Sequence, residues 1–422
     1  MPLMPRRNIL LRLLGPGLVT GAADDDPSGI ATYSQAGAQF GYGLLWTVFL
    51  TTPFMIAIQV VSARIGRVTG QGIVANVRQI FPRFIVLALV GLLVVANTIN
   101  IAADLAAMGE ALSLVIGGLT HEHTLIFGAG SVLLQVFVPY RRYAPVLKLL
   151  TLVLFCYVAA ALTVAIPWSQ ALLATFWPIP SLSKDYLLMV VAVLGTTISP
   201  YLFFWQASQE VEEMHLQRRR PLRALKGGGN LEIGRIAIDT TAGMIFSNVI
   251  AYFIILTTAA TLNAHGVTDV HTAAEAAEAL RPLAGNLAFG LFALGIIGTG
   301  LLAVPVLAGS AAYGVAEAFG WPATLEARPG QAVGFYAIIA AATVIGLALS
   351  FTPISPIQML IWSAVINGVV AVPIMAVMML LATNRTAMGR FHIGRRLALV
   401  GWAGTGLMAL TVAALFWSML WT

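Results

Sequence analysis

The sequence predicts an all-α integral membrane protein, and three observations support this fold class. Only 9% of the 422 residues are charged and 59% are hydrophobic, whereas a soluble protein carries about a quarter charged residues. The apolar residues fall in long runs, and a membrane-spanning helix needs about 20 such residues. Acidic and helix-breaking residues interrupt two of these runs. We therefore expect a single transmembrane domain over residues 1–420 and no separate soluble domain.

Eleven apolar segments are predicted to span the bilayer. They comprise residues 12–38, 43–62, 84–112, 122–139, 145–166, 186–214, 236–261, 284–316, 332–350, 355–382 and 396–420. The first five form one repeat (12–166), the next five form a second (186–382), and 396–420 is an extra C-terminal helix. Because five is odd, the second repeat is inserted with the opposite orientation. No residue-level repeat is visible, so the inverted symmetry is inferred from topology alone.

Basic residues are distributed unequally between the predicted loops on the two sides of the membrane. One side holds 21 of the 23 Lys and Arg residues, and only Lys184 and Arg281 lie on the other. Lys and Arg concentrate in the cytoplasmic loops of membrane proteins. We therefore expect a multi-pass protein of the cell membrane, with a cytoplasmic N-terminus and an extracytoplasmic C-terminus.

The composition argues against several other classes of protein. The loop bias explains the net charge of +6, so we expect no nucleic-acid partner. The single cysteine, Cys156, permits neither an intramolecular disulfide nor a cysteine metal cluster. The sequence contains no ATPase or enzymatic motif that we recognise, so we predict no enzyme activity and no bound cofactor. The expected surroundings are the lipid bilayer, and the sequence is compatible with a monomer.

Three consecutive aspartates interrupt the first apolar segment, in the stretch GAADDDPSGI (21–30). Asp26 is a good N-cap for a helix that begins at Pro27, because proline suits the first helical position, where its missing N–H would have no partner. We therefore expect the first span to break near residues 23–29, at bilayer depth.

The sixth apolar segment contains a parallel interruption, in VLGTTISPYLFFWQ (193–206). Pro200 lacks a backbone donor and clashes with the preceding turn. The hydroxyls of Thr196, Thr197 and Ser199 could satisfy the freed backbone groups. The sequence therefore predicts broken helices at matching positions of the two halves, which is the pattern of a transporter's midplane binding site.

The aspartates indicate the charge of the substrate. A carboxylate at the bilayer centre costs about 2.5–3.5 kcal/mol on insertion scales. That cost falls if the carboxylate lines water and meets a cation, to which unwound backbone also offers carbonyl oxygens. We predict that Asp26 is a cation ligand, with Asp24 and Asp25 in an acidic vestibule or second shell. The alternative is that Asp26 only caps the helix.

The run DPSGIATYSQAGAQFGYGLLW (26–46) resembles the start of the Nramp family of divalent-metal transporters. Members of that family typically show Asp-Pro-Gly-Asn and then an AGA.FGY.LLW run in a broken first helix. The resemblance covers spans 1–10. It implies a LeuT-type fold of two inverted five-helix repeats plus an eleventh helix, with helices 1 and 6 interrupted and the ion bound between the breaks.

This sequence departs from the family pattern at the implied metal site. Asp26 keeps the family's aspartate, but Gly29 replaces its metal-binding asparagine. The family's Met-Pro-His is Ser199-Pro200-Tyr201 here, so the methionine ligand is absent. Oxygen donors suit magnesium, calcium and manganese, whereas a thioether favours softer ions. The pattern is similar to that of the Nramp-related magnesium transporters.

The resemblance therefore implies import of partly hydrated Mg²⁺, with Mn²⁺ as a second substrate. The predicted metal-site residues are Asp26, Gly29, Thr196, Ser199 and Tyr201. For Thr196 and Ser199 the alternative is hydrogen bonding to their own helix, and for Tyr201 it is packing.

Two family positions linked to proton movement are changed. Gln206 replaces a histidine and Ala107 a glutamate, although Asp104 keeps the aspartate of the family's proton route. We therefore predict weak or absent proton coupling. Asp104 is either a vestige or the partner of an arginine at the inner mouth, and Glu210 could form part of an acidic exit.

Three other functions stay open. The first is a proton-coupled Mn²⁺/Fe²⁺ transporter of the Nramp type, against which Ser199 and Gln206 argue. The second is a Na⁺-coupled organic-solute symporter of the LeuT fold, although three aspartates would repel an anionic substrate. The third is a sensor-like membrane protein that transports nothing, which two broken helices at matching positions argue against.

Overall fold

The structure is a computed structural model that describes residues 15–138, 149–225, 227–325 and 329–420, together with residues 142 and 146. Across these ranges every regular element is a helix, and no strand is present. The predicted all-α class is therefore confirmed. The charged N-terminal stretch before residue 15 lies outside the described residues, as do parts of the loops near residues 140 and 327.

The first half of the chain forms eight α-helices within the described ranges. They are α1 (Pro16–Asp24), α2 (Pro27–Phe40), α3 (Leu45–Thr69), α4 (Ile73–Ile80), α5 (Arg83–Ile116), α6 (Thr120–Phe137), α7 (Phe155–Thr163) and α8 (Trp168–Phe176). Helix α5 is the longest, with 34 residues. The predicted span 145–166 begins among residues that are not described and continues into α7.

The second half contributes ten further α-helices in the part of the chain that is described. They are α9 (Lys184–Thr197), α10 (Pro200–Leu216), α11 (Asn230–Thr261), α12 (Ala273–Glu278), α13 (Arg281–Ala284), α14 (Ala288–Phe319), α15 (Val333–Leu349), α16 (Pro356–Thr383), α17 (Arg385–Met388) and α18 (Arg395–Leu420).

Seven helical segments among the described residues are long and apolar enough to cross a membrane. They are Pro27–Thr69, Arg83–Ile116, Lys184–Leu216, Asn230–His265, Arg281–Phe319, Pro356–Thr383 and Arg395–Leu420. Two shorter apolar helices, Leu149–Thr163 and Val333–Leu349, coincide with two further predicted spans. The chain is therefore a multi-pass membrane protein, whereas the count of eleven spans and the orientation of the termini stay predictions.

Both predicted helix breaks are present. Helix α1 ends at Asp24, the backbone of Asp26 is extended, and α2 begins at Pro27. The side chain of Asp26 caps α2 by accepting a hydrogen bond from the amide of Gly29. In the second half, α9 ends at Thr197 and α10 begins at Pro200. Because proline has no N–H, each new helix has one unsatisfied donor fewer in its first turn.

Glycines allow the interrupted helices to pack closely against their neighbours. Gly17 and Gly21 of α1 face α11, where a Cβ atom added to Gly17 would lie 2.6 Å from the Cα of Thr240. Gly195 of α9 faces the backbone of Gly368 in α16 in the same way. Helices in membranes associate through such small residues because lipid provides no hydrophobic drive to bring them together. The two breaks are thus fixed within one bundle.

Candidate metal site

Asp26 lies at the junction of the two broken helices and is 1% exposed. Its Oδ1 accepts hydrogen bonds from the Ser28 hydroxyl at 2.6 Å and from the Gly29 amide at 2.8 Å. Its Oδ2 lies 3.0 Å from Nδ2 of Asn100 and 3.1 Å from the Tyr201 hydroxyl. All four groups are neutral. They orient the carboxylate and leave its negative charge without a cationic partner in the described structure.

Tyr201 connects the second break to the first. Its hydroxyl lies 3.0 Å from the carbonyl oxygen of Ala23 as well as 3.1 Å from Oδ2 of Asp26. A phenol has one proton for these two acceptors, so at least one of them retains capacity for another partner. The predicted place of Tyr201 beside Asp26 is therefore observed, and the ring is fully buried.

The other predicted residues of the second break divide into two cases. A Cβ atom added to Gly29 would lie 3.2 Å from Oγ1 of Thr196, so these two residues face each other across the breaks. The hydroxyl of Ser199 instead donates to the carbonyl oxygens of Gly195 and Thr196, at 3.1 and 2.7 Å. This is the alternative of hydrogen bonding within its own helix, and it uses the hydroxyl proton of Ser199 while the oxygen keeps its lone pairs.

Asp24 and Asp25 are both buried, each 1% exposed, and both contact Ser247 of α11. The Ser247 hydroxyl lies 2.5 Å from Oδ2 of Asp24 and 3.0 Å from Oδ1 of Asp25. The second carboxylate oxygen of each has no hydrogen-bond partner among the described residues. The two side chains therefore form a buried acidic pair next to Asp26, with no bulk solvent around them.

Asp104 is fully buried on α5, and both of its carboxylate oxygens lack a hydrogen-bond partner among the described residues. No described arginine forms an ion pair with it, so the predicted pairing at the inner mouth is not observed there. Asp104 lies one helical turn beyond Asn100, which contacts Asp26.

Gln206 and Glu210 follow Tyr201 along α10 and contact other helices. Nε2 of Gln206 donates to the Thr240 hydroxyl at 2.8 Å, and its Oε1 accepts from Gln59 at 2.6 Å. Glu210 lies 3.5 Å from the Arg235 guanidinium. The structure therefore places both residues in contacts between α10, α3 and α11, and not around the Asp26 carboxylate.

Helix α11 holds the ends of several helices on this side of the bundle. Asp239 accepts hydrogen bonds from the amides of Gly15 and Gly17, at 3.1 and 2.8 Å, and so caps α1. Glu232 pairs with Arg67 of α3 at 3.0 Å and also contacts Arg219. Together with the Arg235–Glu210 pair, these contacts join α11 to α1, α3 and α10.

Sequence reasoning missed Asn100 and Ser247. Both side chains are fully buried, and they contact the aspartates from helices α5 and α11. Asn100 is a polar residue in a strongly apolar helix, four positions before Asp104, and that spacing places both on one helix face. This signal was available in the sequence, whereas nothing in the sequence relates Ser247 to residues 24–25.

Nowhere in the described ranges do three or more His, Cys, Asp or Glu side chains converge as a metal cluster. The arrangement around Asp26 combines one carboxylate with neutral oxygen and nitrogen groups. Such a set suits reversible contact with a passing ion, because few charges must be separated when it leaves.

Comparison with known proteins identifies the family. Residues 17–418 match the family model described as natural resistance-associated macrophage protein-like. The divalent metal cation transporter MntH of Yersinia enterocolitica is 30% identical over 305 residues, covering 70% of each chain. MntH of Yersinia pestis is 32% identical over 308 residues with the same coverage.

Solved structures share the fold. The Eremococcus coleocola manganese transporter, in complex with an aromatic bis-isothiourea compound, has a TM-score of 0.75 at 16% identity and covers 98% of this chain and 88% of its own. Mhp1, a nucleobase-cation-symport-1 family transporter, has a TM-score of 0.59 at 12% identity, with coverage of 96% and 92%. These likenesses confirm the predicted LeuT-type fold.

By its match to the family model and to the curated relatives, the chain belongs to the Nramp family, and it is a membrane metal-ion transporter and not an enzyme.

Proposed function

We propose that this protein carries divalent metal cations across the membrane through a site centred on Asp26, with Mn²⁺ as the principal ion. The observation that carries the proposal is the buried Asp26 carboxylate, which lies between two helix breaks and is surrounded by neutral groups. A buried charge without a compensating partner is strongly unfavourable. A cation at Oδ2 provides the missing charge, with Tyr201 and the carbonyl oxygen of Ala23 close by.

The choice of Mn²⁺ follows the relatives. The curated relatives are named divalent metal cation transporters, and the Eremococcus coleocola protein is a manganese transporter. These names do not support the Mg²⁺ preference predicted from the sequence, nor a Na⁺-coupled organic-solute symporter. An oxygen-lined site is compatible with Mn²⁺, which carboxylates, carbonyls and water bind readily.

Mg²⁺ is the second candidate, and a specific observation favours it. Gly29 and Ser199 occupy the positions where the family resemblance implies an asparagine and a methionine, so neither break offers a thioether. A site without a soft ligand gives less discrimination against Mg²⁺, which binds through one or two carboxylates and keeps several waters. We therefore expect Mg²⁺ to compete with Mn²⁺ at millimolar concentration.

The experiment that tests this function is uptake by purified protein in liposomes that contain a metal-responsive dye and a pH reporter. We expect Mn²⁺ influx, its inhibition by external Mg²⁺, and acidification of the lumen as Mn²⁺ enters. Mg²⁺ influx without acidification would favour the second candidate. The absence of both Mn²⁺ and Mg²⁺ influx, with correctly folded protein, would refute the proposal.

Proton coupling is the part of the proposal that concerns Asp104, and it replaces the weak or absent coupling predicted from the sequence. Its carboxyl group is buried and has no hydrogen-bond or ion-pair partner among the described residues, so a bound proton is the simplest way to neutralise it. Asp26 is the charged group that acts on it. Metal entry at Asp26 would then promote release of the Asp104 proton through repulsion between like charges.

Asp104→Asn is expected to uncouple metal from proton movement. The amide has nearly the same volume but carries no exchangeable charge, so Mn²⁺ influx should continue while luminal acidification falls to the level of protein-free vesicles. Glu110→Gln is the matched control on the same helix, because Glu110 accepts a hydrogen bond from the backbone of Ala273 and has no contact with Asp26. Acidification that is unchanged in Asp104→Asn would remove Asp104 from the proton route.

A further inference from the structure

Asn100 brings a neutral amide from α5 to the Asp26 carboxylate. Its Nδ2 lies 3.0 Å from Oδ2 of Asp26, and the side chain is fully buried. We propose that Asn100 is a ligand of the transported ion and binds it through its amide oxygen, Oδ1. The inference depends on the proposed function, because it adds a residue to the same site.

The amide oxygen of Asn100 is available for this role. Oδ1 is buried and has no hydrogen-bond partner in the described part of the chain. Oδ1 of Asn97 is unpaired as well, so what distinguishes Asn100 is that its amide also contacts the Asp26 carboxylate. A cation beside Asp26 would be a partner for Oδ1 of Asn100, and amide oxygen is a ligand that hard divalent ions accept.

The spacing of the groups on Oδ2 of Asp26 matches a coordination shell. Neighbouring oxygens around an octahedral ion with metal–oxygen distances of about 2.0–2.1 Å lie about 2.8–3.0 Å apart. Asn100 Nδ2 lies 3.0 Å from Oδ2, and the Tyr201 hydroxyl lies 3.1 Å from the same atom. Asn100 and Tyr201 therefore approach Oδ2 at the spacing of neighbouring ligands.

A half-turn of the Asn100 amide converts the ion-free contact into an ion-binding one. Rotation about the Cβ–Cγ bond exchanges Nδ2 with Oδ1 and places an oxygen near Oδ2 of Asp26. Two oxygens at that separation repel each other unless a cation lies against both. The N–H therefore satisfies the carboxylate when the site is empty, and the oxygen replaces it when the ion enters.

The competing role for Asn100 is purely positional, in which its N–H only orients Asp26. The variant Asn100→Asp keeps an oxygen at the position and removes the donor. A ligand role predicts Mn²⁺ affinity at least equal to that of the wild type. Weaker binding would refute the ligand role, because the added carboxylate also attracts the dication.

Thiol substitution provides a direct test of ligation. A cysteine ligand favours soft ions such as Cd²⁺ over Mn²⁺. We expect Asn100→Cys to lower Mn²⁺ affinity by at least about tenfold, the lower end of what outer-shell substitutions cost, and to raise the Cd²⁺-to-Mn²⁺ affinity ratio. Asn97→Cys is the matched control, because Asn97 is one turn earlier, equally buried, and donates to the carbonyl oxygen of Leu307 at 2.8 Å.

The measurements are titration calorimetry with MnCl₂ and CdCl₂ on detergent-purified protein, together with dye-reported uptake in liposomes. An unchanged Cd²⁺-to-Mn²⁺ affinity ratio in Asn100→Cys, or the same shift of that ratio in Asn97→Cys, would overturn the inference. Wild-type Mn²⁺ uptake would still support the proposed function in that case. If the wild type moves neither Mn²⁺ nor Mg²⁺, both fall together. Should Asn100→Cys fail to fold, loss of Mn²⁺ affinity in Asn100→Asp would still refute the ligand role.

Discussion

Asp26→Asn is expected to abolish Mn²⁺ uptake. The amide has the volume of the carboxylate but no negative charge. The Asp26 charge lies between the two helix breaks, where it is contacted by four neutral groups. Substitution of groups outside the first coordination shell already costs 10–100-fold in metal affinity in other proteins, so loss of the central carboxylate should cost at least about 100-fold. Uptake in liposomes should fall to the level of protein-free vesicles.

Ser28→Ala is the control for this substitution. The Ser28 hydroxyl also contacts Oδ1 of Asp26, at 2.6 Å, but it is neutral and on the side of the carboxylate away from Asn100 and Tyr201. Its removal should change Mn²⁺ affinity far less than loss of the carboxylate does, because the negative charge at the site is kept. Substantial Mn²⁺ flux through Asp26→Asn, with unchanged expression and thermal stability, would mean that the ion takes another path.

The helix breaks could be predicted from the sequence because their causes are local. An aspartate before Pro27 and a serine before Pro200 are start signals for a helix wherever they occur, and the surrounding apolar runs show that both starts lie within a span. Asp26 lies buried at the first of these breaks, and its position at bilayer depth and its role as a ligand stay predictions.

The partners of the aspartates could not be predicted in the same way. Ser247 reaches Asp24 and Asp25 from more than 220 residues away. Tyr201 is 175 residues from Asp26, and only the family resemblance predicted that it belongs to the same site. Such contacts depend on how α10 and α11 pack against α1, and periodicity within one helix carries no information about that packing. For Ser199 the structure shows the hydrogen bonding within its own helix that was the alternative, and its role as an ion ligand stays a prediction.

Ion preference was also beyond the sequence. The missing thioether indicates a harder site, yet the relatives are named for divalent cations and manganese. Selectivity between Mn²⁺ and Mg²⁺ depends on cavity size, the number of ligands and their rigidity. In the proposed site these quantities would depend on Asn100, Tyr201 and the backbone between α1 and α2, which only the folded chain brings together.

Gly21→Leu is the second substitution for which we expect a large loss of Mn²⁺ uptake, because Gly21 lies where α1 packs against α11. A Cβ atom added at this position would overlap the backbone carbonyl group of Gly243, which cannot rotate away as a side chain can. Overpacking of this kind costs about 1–3 kcal/mol and occasionally more. Gly21→Leu should therefore move α1 away from α11, lower the temperature of thermal unfolding and eliminate Mn²⁺ uptake, because α1 carries Asp24 and leads directly to Asp26.

Gly91→Leu is the matched control, since Gly91 is on the exposed surface of α5 with no atom within 4 Å of an added Cβ. It should keep both the unfolding temperature and Mn²⁺ uptake near wild-type values. Comparing Gly21→Leu with Gly91→Leu distinguishes the effect of separating α1 from α11 from the general effect of a larger side chain in a membrane helix. Wild-type uptake by Gly21→Leu would mean that the transport cycle does not require α1 to pack against α11 at this point, and that the Asp239 cap at the start of α1 is sufficient to position Asp26.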